Sequence, residues 1–139
     1  MKGRYKRRVE DIIKKDLTEL EKFKNQNTKP DNYFKTIVES SFLARGFYAD
    51  QLKIWFKKFQ KEQLLMIPSE ELAQKPDQVL RKIFEFLNLP YFKIKDLTKQ
   101  NKREYPPMKA ETRKLLIEFY RPYNEKLYNL INQHFDWEK

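Results

Sequence analysis

The sequence has no cysteine, a single histidine and two glycines in 139 residues, and each scarcity removes a class of chemistry. Without cysteine there are neither disulfides nor thiolate metal sites, and a reducing compartment is compatible with the chain. One histidine, His134, leaves a histidine-based triad or a multi-histidine metal centre little to work with. Near the end of a helix it reads as a surface or partly packed residue. Gly3 and Gly46 cannot build a glycine-rich phosphate loop, so no backbone anion cradle of that type is expected. No run approaches the roughly 20 apolar residues of a membrane span. The opening MKGRYKRR is basic, but the apolar stretch of a signal peptide does not follow it. The chain is therefore expected to be soluble and cytoplasmic, without a membrane or metal partner.

What is present is basic and apolar enough to fold. Lys and Arg number 30 against 20 Asp and Glu, for a net charge of +10. That excess favours an anionic partner: nucleic acid, a sulfated or phosphorylated small molecule, or an acidic surface. Charge alone does not choose among them, and solvated helix faces account for it equally well. An apolar share of 40% with 15% aromatic suits one folded domain.

Helical spacing organises most of the chain. Val9, Ile12, Ile13, Leu17 and Leu20 predict a first helix from about Arg7 to Lys24. NQNTKPDN, Asn25 to Asn32, is a loop by composition. A second helical segment, Tyr33 to Leu43, is expected to stop near Gly46, which offers the left-handed conformation. Tyr48, Leu52, Trp55, Phe56 and Phe59 form an aromatic stripe on a third helix and read as core. Glu70 and Glu71 suit the start of a helix near Ser69, and Pro76-Asp77 opens another. In that one Val79, Leu80, Ile83, Phe84 and Leu87 mark the apolar face, and Asn88 and Pro90 close it. A last helix begins near Ala110 with Leu115, Leu116, Phe119 and Tyr120 on its apolar face. Pro122 should kink or restart it before Leu127, Leu130 and Ile131.

Two segments break the helical pattern. Leu64-Leu65-Met66-Ile67, inside FQKEQLLMIPSEEL, reads as a buried strand that leads through Pro68 into a capped helix. A strand apolar on both faces needs neighbours, and no second convincing strand exists in the chain. The second segment, Tyr91 to Met108, has no sustained period and is basic at Lys99, Lys102 and Arg103. Loops of that length in compact domains tend to be functional or disordered. Within it, QNKREYPPM combines the donors of Lys102 and Arg103 with the ring and hydroxyl of Tyr105 and a stiff Pro106-Pro107. A planar guanidinium beside an aromatic suits a phosphate on a nucleoside, although a merely solvated basic loop reads the same way. The terminal cluster Lys2, Arg4, Lys6, Arg7 and Arg8 reads as mobile or solvated.

RGFYADQLKIWFKKFQKEQLLMIPSEELAQKPDQVLRKIFEFLNLP, then YPPMKAETRKLLIEFYRPYNEKLYNLI and the closing FDW, resemble the C-terminal half of sulfotransferases that use 3′-phosphoadenosine 5′-phosphosulfate (PAPS). The likeness is strongest to the bacterial and heparan-sulfate-type branch. The order of its parts is specific: a G-x-Y-x-x-x-L-x-x-W block, a strand-S-E-x-L turn, an FL-x-L helix end and a Y-x-x-N-x-x-L-Y helix. Glu10 to Lys24 resembles the helix after the family's 3′-phosphate motif.

The resemblance implies an α/β, P-loop-like sulfotransferase fold in which LLMI is an inner strand of a parallel sheet. This chain would be mostly helical, with five or six helices, one central-type strand and an incomplete sheet. Residues 1–139 would form the C-terminal portion of a single domain whose N-terminal half carries the phosphosulfate loop, the catalytic base and the Arg and Ser for the 3′-phosphate. That half is expected to be absent, as in a truncated or split reading frame, leaving the chain inactive alone. Lys102, Arg103 and Tyr105 would then bind the cosubstrate PAPS, with Asn101 and Lys102 departing from the family's K-G-R-x-Y-P pattern. The acceptor would be a small molecule or carbohydrate, with no nucleic acid, no metal and no catalytic residue in this chain. The alternative reading is a basic helical module for nucleic acid or another polyanion.

Overall fold

A computed structural model describes residues 9–24, 41–98 and 106–138. Among them are five α-helices: α1 Val9–Lys24, α2 Tyr48–Phe56, α3 Ser69–Gln74, α4 Pro76–Phe86 and α5 Ala110–Ile131. Short 3-10 turns lie at Ala44–Gly46 and Lys61–Gln63. The chain divides into two compact units, Met1–Trp55 with Met108–Lys139, and Phe56–Pro107. The expected loop at Asn25 to Asn32, residues 33–40 of the expected second helix, and Lys2, Arg4, Lys6, Arg7 and Arg8 lie outside the described residues.

In the first unit, Ile13, Asp16, Leu17 and Leu20 recur three and four apart and turn one face of α1 inward. Ile13 and Leu20 join Leu43, Ala44 and Phe47 in a buried cluster, against which Leu116, Phe119, Tyr120 and Tyr123 of α5 pack. Phe47 stacks on Tyr123 with ring centroids 3.9 Å apart and planes inclined by 9°. Helix α5 runs unbroken from Ala110 through Pro122 to Ile131, so the expected restart does not occur. The pyrrolidine costs the Glu118 carbonyl its partner, but tertiary packing on both sides of it holds the helix together. Leu115, expected on the apolar face, is instead exposed.

In the second unit, α4 buries Val79 completely. Its end is a Schellman cap: Leu89 N–H donates to Phe84 O (2.9 Å), Asn88 N–H donates to Glu85 O (2.9 Å), and Asn88 takes the left-handed φ of 53°. Pro76 sits in its first turn, as expected. Helix α3 starts at Ser69, yet Pro68 occupies the cap position and no side chain caps it, which corrects the capped start. Lys82 of α4 pairs with Glu71 of α3. Asp77 accepts hydrogen bonds from the Tyr91 hydroxyl and from Arg81 Nε, and the Arg81 guanidinium lies 3.9 Å from the centre of the Tyr91 ring. Those bonds, Tyr91 first, hold the Asp77 carboxyl below its usual range.

Leu64 is extended (φ −122°, ψ 113°), and Leu64 to Ile67 join no ladder among the described residues, as expected of a segment with no second strand to pair with, but the expected burial is not found, since Leu65 is 40% exposed. Other expectations fail for physical reasons. The aromatic stripe is not core: Tyr48, Trp55 and Phe59 are 48%, 53% and 45% exposed, and α2 ends at Phe56, before Phe59. Helix α2 turns its small Ala49 to the core instead. Gly46 is not left-handed, since no glycine has a positive φ among the described residues. A Cβ there would lie 2.6 Å from Tyr120 Cε1, so space rather than backbone freedom requires the glycine. Ser41 to Leu43, the end of the expected second helix, form a turn.

Candidate functional site

Lys102, Arg103 and Tyr105, the residues expected to meet a phosphate, lie outside the described residues. The best-organised polar constellation among the described residues sits in the first unit and escaped sequence reasoning. Asp16, 5% exposed, accepts hydrogen bonds from Ser41 Oγ and from the Leu43 N–H, each at 3.0 Å. Ser41 Oγ in turn accepts from the Ala44 N–H at 3.1 Å. The Tyr120 hydroxyl donates to the Leu43 carbonyl at 2.8 Å. One carboxylate, one hydroxyl and one phenol thus satisfy the backbone of the turn between Ser41 and Ala44. Burial, with smaller contributions from Tyr48, Asp16 and Tyr123, pushes the Tyr120 hydroxyl up to about 12, which keeps it a donor across the ordinary pH range.

The clamp fixes one wall of a cavity of about 420 Å³. Phe42, Arg45, Gly46 and Tyr48 leave the clamped turn and the start of α2 to form that wall. Arg113, Ile117, Tyr120 and Asn124 of α5, spaced four, three and four apart, form a second wall from one helix face. The third wall is the turn after α5, which contributes Trp137 and Glu138. Asn132, with φ 53°, ends α5, and the Tyr128 hydroxyl donates to Phe135 O at 2.8 Å to hold the turn back against the helix. Tyr128 also packs on His134, 4.2 Å between centroids, and Phe135 on Trp137, 4.8 Å. His134 is thus an exposed residue packed on a ring, as its position near the helix end suggested.

The lining joins cations to aromatic faces. The Arg45 guanidinium lies 5.0 Å from the centre of the Phe42 ring. The rings of Tyr48 and Trp137 sit 6.0 Å apart at 54°. The carboxylate at the rim, Glu138, pairs with Arg121 at 3.6 Å rather than with either cavity arginine. Such a lining suits an anionic group joined to a flat or ring-shaped body. The second unit holds a larger, mainly apolar cavity of about 730 Å³, lined by Leu72, Pro76, Leu80, Ile94 and Leu97 with polar Ser69, Glu70, Asp96 and Thr98. Asp96 accepts there from the Thr98 hydroxyl and from the Thr98 N–H (2.8 Å), and those bonds, the hydroxyl first, hold its carboxyl below the usual range. Among the described residues no helix is long and apolar enough to cross a membrane.

Comparison with known proteins places the chain. The sulfotransferase domain model matches residues 10–131, and the chain belongs to that family. It is 33% identical over 96 residues to the membrane-associated sulfotransferase kil1 of Dictyostelium discoideum, covering 69% of this chain and 20% of that protein. It is 29% identical over 128 residues to heparan sulfate glucosamine 3-O-sulfotransferase 3B1 of Mus musculus, covering 73% and 33%. It is 32% identical over 108 residues to carbohydrate sulfotransferase 15 of Homo sapiens, covering 69% and 19%. The chain therefore spans a fifth to a third of the length of these relatives. No solved structure matches it.

Proposed function

We propose that this sulfotransferase-family chain is the C-terminal portion of a domain that moves a sulfuryl group from PAPS to a hydroxyl or amine of a carbohydrate. The acceptor oxygen or nitrogen attacks sulfur in line, the bond from sulfur to the phosphate oxygen breaks, the acceptor proton passes to a base, and adenosine 3′,5′-bisphosphate leaves. The protein's contribution to such a transfer is positioning and charge stabilisation. On this reading Lys102, Arg103 and Tyr105 meet the 3′-phosphate, and the catalytic base belongs to other polypeptide. The sulfotransferase match over residues 10–131 carries the reading. The apolar Leu64 to Ile67, extended at Leu64 and unladdered among the described residues, support it, as an inner strand whose neighbours come from sequence other than these residues. The carbohydrate acceptor is taken from relatives named for heparan sulfate and carbohydrate.

Titration of the purified chain with adenosine 3′,5′-bisphosphate tests it. Binding is expected, at least tenfold weaker in Arg103→Ala, with no sulfuryl transfer by the 139-residue chain alone. Turnover of PAPS above that of the Arg103→Ala control refutes the portion of the proposal that places the base elsewhere. Exposed Tyr48 and Trp55 on a chain of net charge +10 favour a second reading, a polyanion-binding module. Oligonucleotide binding with a steep salt slope that adenosine 3′,5′-bisphosphate does not displace would select it.

A further inference from the structure

We infer that the cavity between the clamped turn, α5 and the turn after α5 is a binding site for an oxyanion ester, a sulfate or phosphate carried on a ring, with Arg113, Arg45 and Asn124 as its polar ligands. Three observations converge. First, among the described residues neither cavity guanidinium has an acidic partner: that of Arg45 meets the Phe42 ring, that of Arg113 makes neither a hydrogen bond nor an ion pair, and Glu138 is held by Arg121. Two guanidinium groups on one cavity repel each other until an anion joins them, and the planar fork matches a tetrahedral oxyanion. Second, Asn124 is 7% exposed and lines the cavity, yet its side chain has no hydrogen-bond partner among the described residues. No fully enclosed side-chain nitrogen or oxygen lacks a partner among the described residues, so the Asn124 amide keeps some accessible surface, and Asn124 lines the cavity. An amide that the protein leaves unpaired in a nearly buried residue is free to meet a ligand group or water. Third, Tyr48 and Trp137 present ring faces and Met108, Leu116 and Ile117 present apolar side chains beside these donors. A bare inorganic anion has no use for that surface, whereas a base or a sugar ring does.

The site uses residues other than Lys102, Arg103 and Tyr105 and does not rest on the PAPS reading. Its ester has two possible sources, the phosphate of a nucleotide and the sulfate of a sulfated sugar. The test titrates the 139-residue chain with adenosine 3′,5′-bisphosphate, with a sulfated disaccharide and with the same disaccharide unsulfated. Tryptophan fluorescence is read in a Trp55→Phe background, so that Trp137 alone reports. At least one ester is expected to bind and change the Trp137 emission, and Arg113→Gln is expected to weaken it tenfold or more. Lys114→Gln, an equal loss of charge on an exposed neighbour outside the cavity lining, should change it less than twofold. Sensitivity of the nucleotide to Arg113→Gln assigns the site to a phosphate ester, and sensitivity of the sulfated sugar assigns it to a sulfate ester. Equal binding of the unsulfated disaccharide overturns the inference, as does binding of both esters left unchanged by Arg113→Gln and by Arg45→Gln, or no binding by any probe. Arg103→Gln separates the two proposals: it should weaken a nucleotide held by the 102–105 segment and leave a sugar ester in the cavity untouched.

Discussion

Replacing Asp16 with alanine perturbs the turn on which the cavity wall is built. The carboxylate accepts from Ser41 Oγ and from the Leu43 N–H at 3.0 Å each, and all three groups are buried. A hydrogen bond to a charged group contributes about 1.5–3 kcal/mol net, and a buried donor left unpaired costs about 1–3 kcal/mol. Ser41 can rotate its hydroxyl towards another acceptor, but the Leu43 N–H is fixed in the backbone, so the two contributions do not sum in full. The expected loss is about 3–5 kcal/mol, a large share of the total stability of a domain this size. At roughly 3 °C per kcal/mol that lowers the unfolding midpoint by about 10–15 °C.

Thermal and urea unfolding followed by circular dichroism measure it. Asp16→Asn keeps one carbonyl acceptor and should lose about half as much. Asp16→Ala combined with Ser41→Ala should fall short of the sum of the single losses by about 0.5–3 kcal/mol, because the two side chains form one network. An Asp16→Ala unfolding free energy within about 1 kcal/mol of the parent refutes the clamp. Additivity of the double variant would mean that the two residues act separately.

Gly46→Ala is expected to destabilise by about 1–3 kcal/mol, because its Cβ would sit 2.6 Å from a Tyr120 ring that its own hydroxyl bond pins in place; unfolding midpoints check it, and Tyr120→Ala in the same chain should remove most of the clash. Tyr120→Phe should lose about 0.5–1.5 kcal/mol near neutral pH through the bond to Leu43 O. Tyr120 holds its proton more tightly folded, at about 12 against an ordinary 10.0, so its stabilisation is complete below pH 10 and fades as pH rises towards 12. The gap between parent and Tyr120→Phe should therefore shrink over that window, and a constant gap refutes the assignment. Pro122→Ala restores a donor for the Glu118 carbonyl inside an unbroken, exposed stretch of α5 and should raise stability by about 1–3 kcal/mol in the same unfolding assay.

The helices were legible where an apolar stripe and a terminator agreed. Val79, Phe84 and the Asn88-Pro90 ending placed α4 closely, and Ile13, Leu17 and Leu20 placed α1. The clamp was not legible, because its partners lie 25 and 27 residues apart in the chain and an aspartate in a lysine-rich helix resembles a solvated charge. A signal was present nonetheless: Asp16 falls three residues after Ile13 and four before Leu20, on the apolar stripe itself. Gly46 was misread because sequence shows a glycine but not the ring that comes to rest on it. The cavity had a similar trace, since Arg113, Tyr120 and Asn124 share one face of α5, but periodicity cannot say what packs opposite.

The aromatic stripe shows why periodicity alone misjudges burial. Helical spacing states which side chains share a face; it does not state whether this polypeptide covers that face. On α2 the covered side carries Ala49, while Tyr48 and Trp55 are about half exposed. In the second unit Leu65, Leu87, Leu89 and Phe92 are also exposed, and Leu64–Ile67 has no ladder among the described residues. A folded chain that leaves large rings and an apolar extended segment uncovered is the pattern expected of a surface made to be covered. On the proposed reading, the remainder of a sulfotransferase domain covers them. Co-expression with the N-terminal half of a related sulfotransferase should then yield a soluble complex that binds less hydrophobic dye than the 139-residue chain alone. Equal dye binding with and without that half would leave the exposed rings as a property of this chain's own surface and remove their support from the proposal.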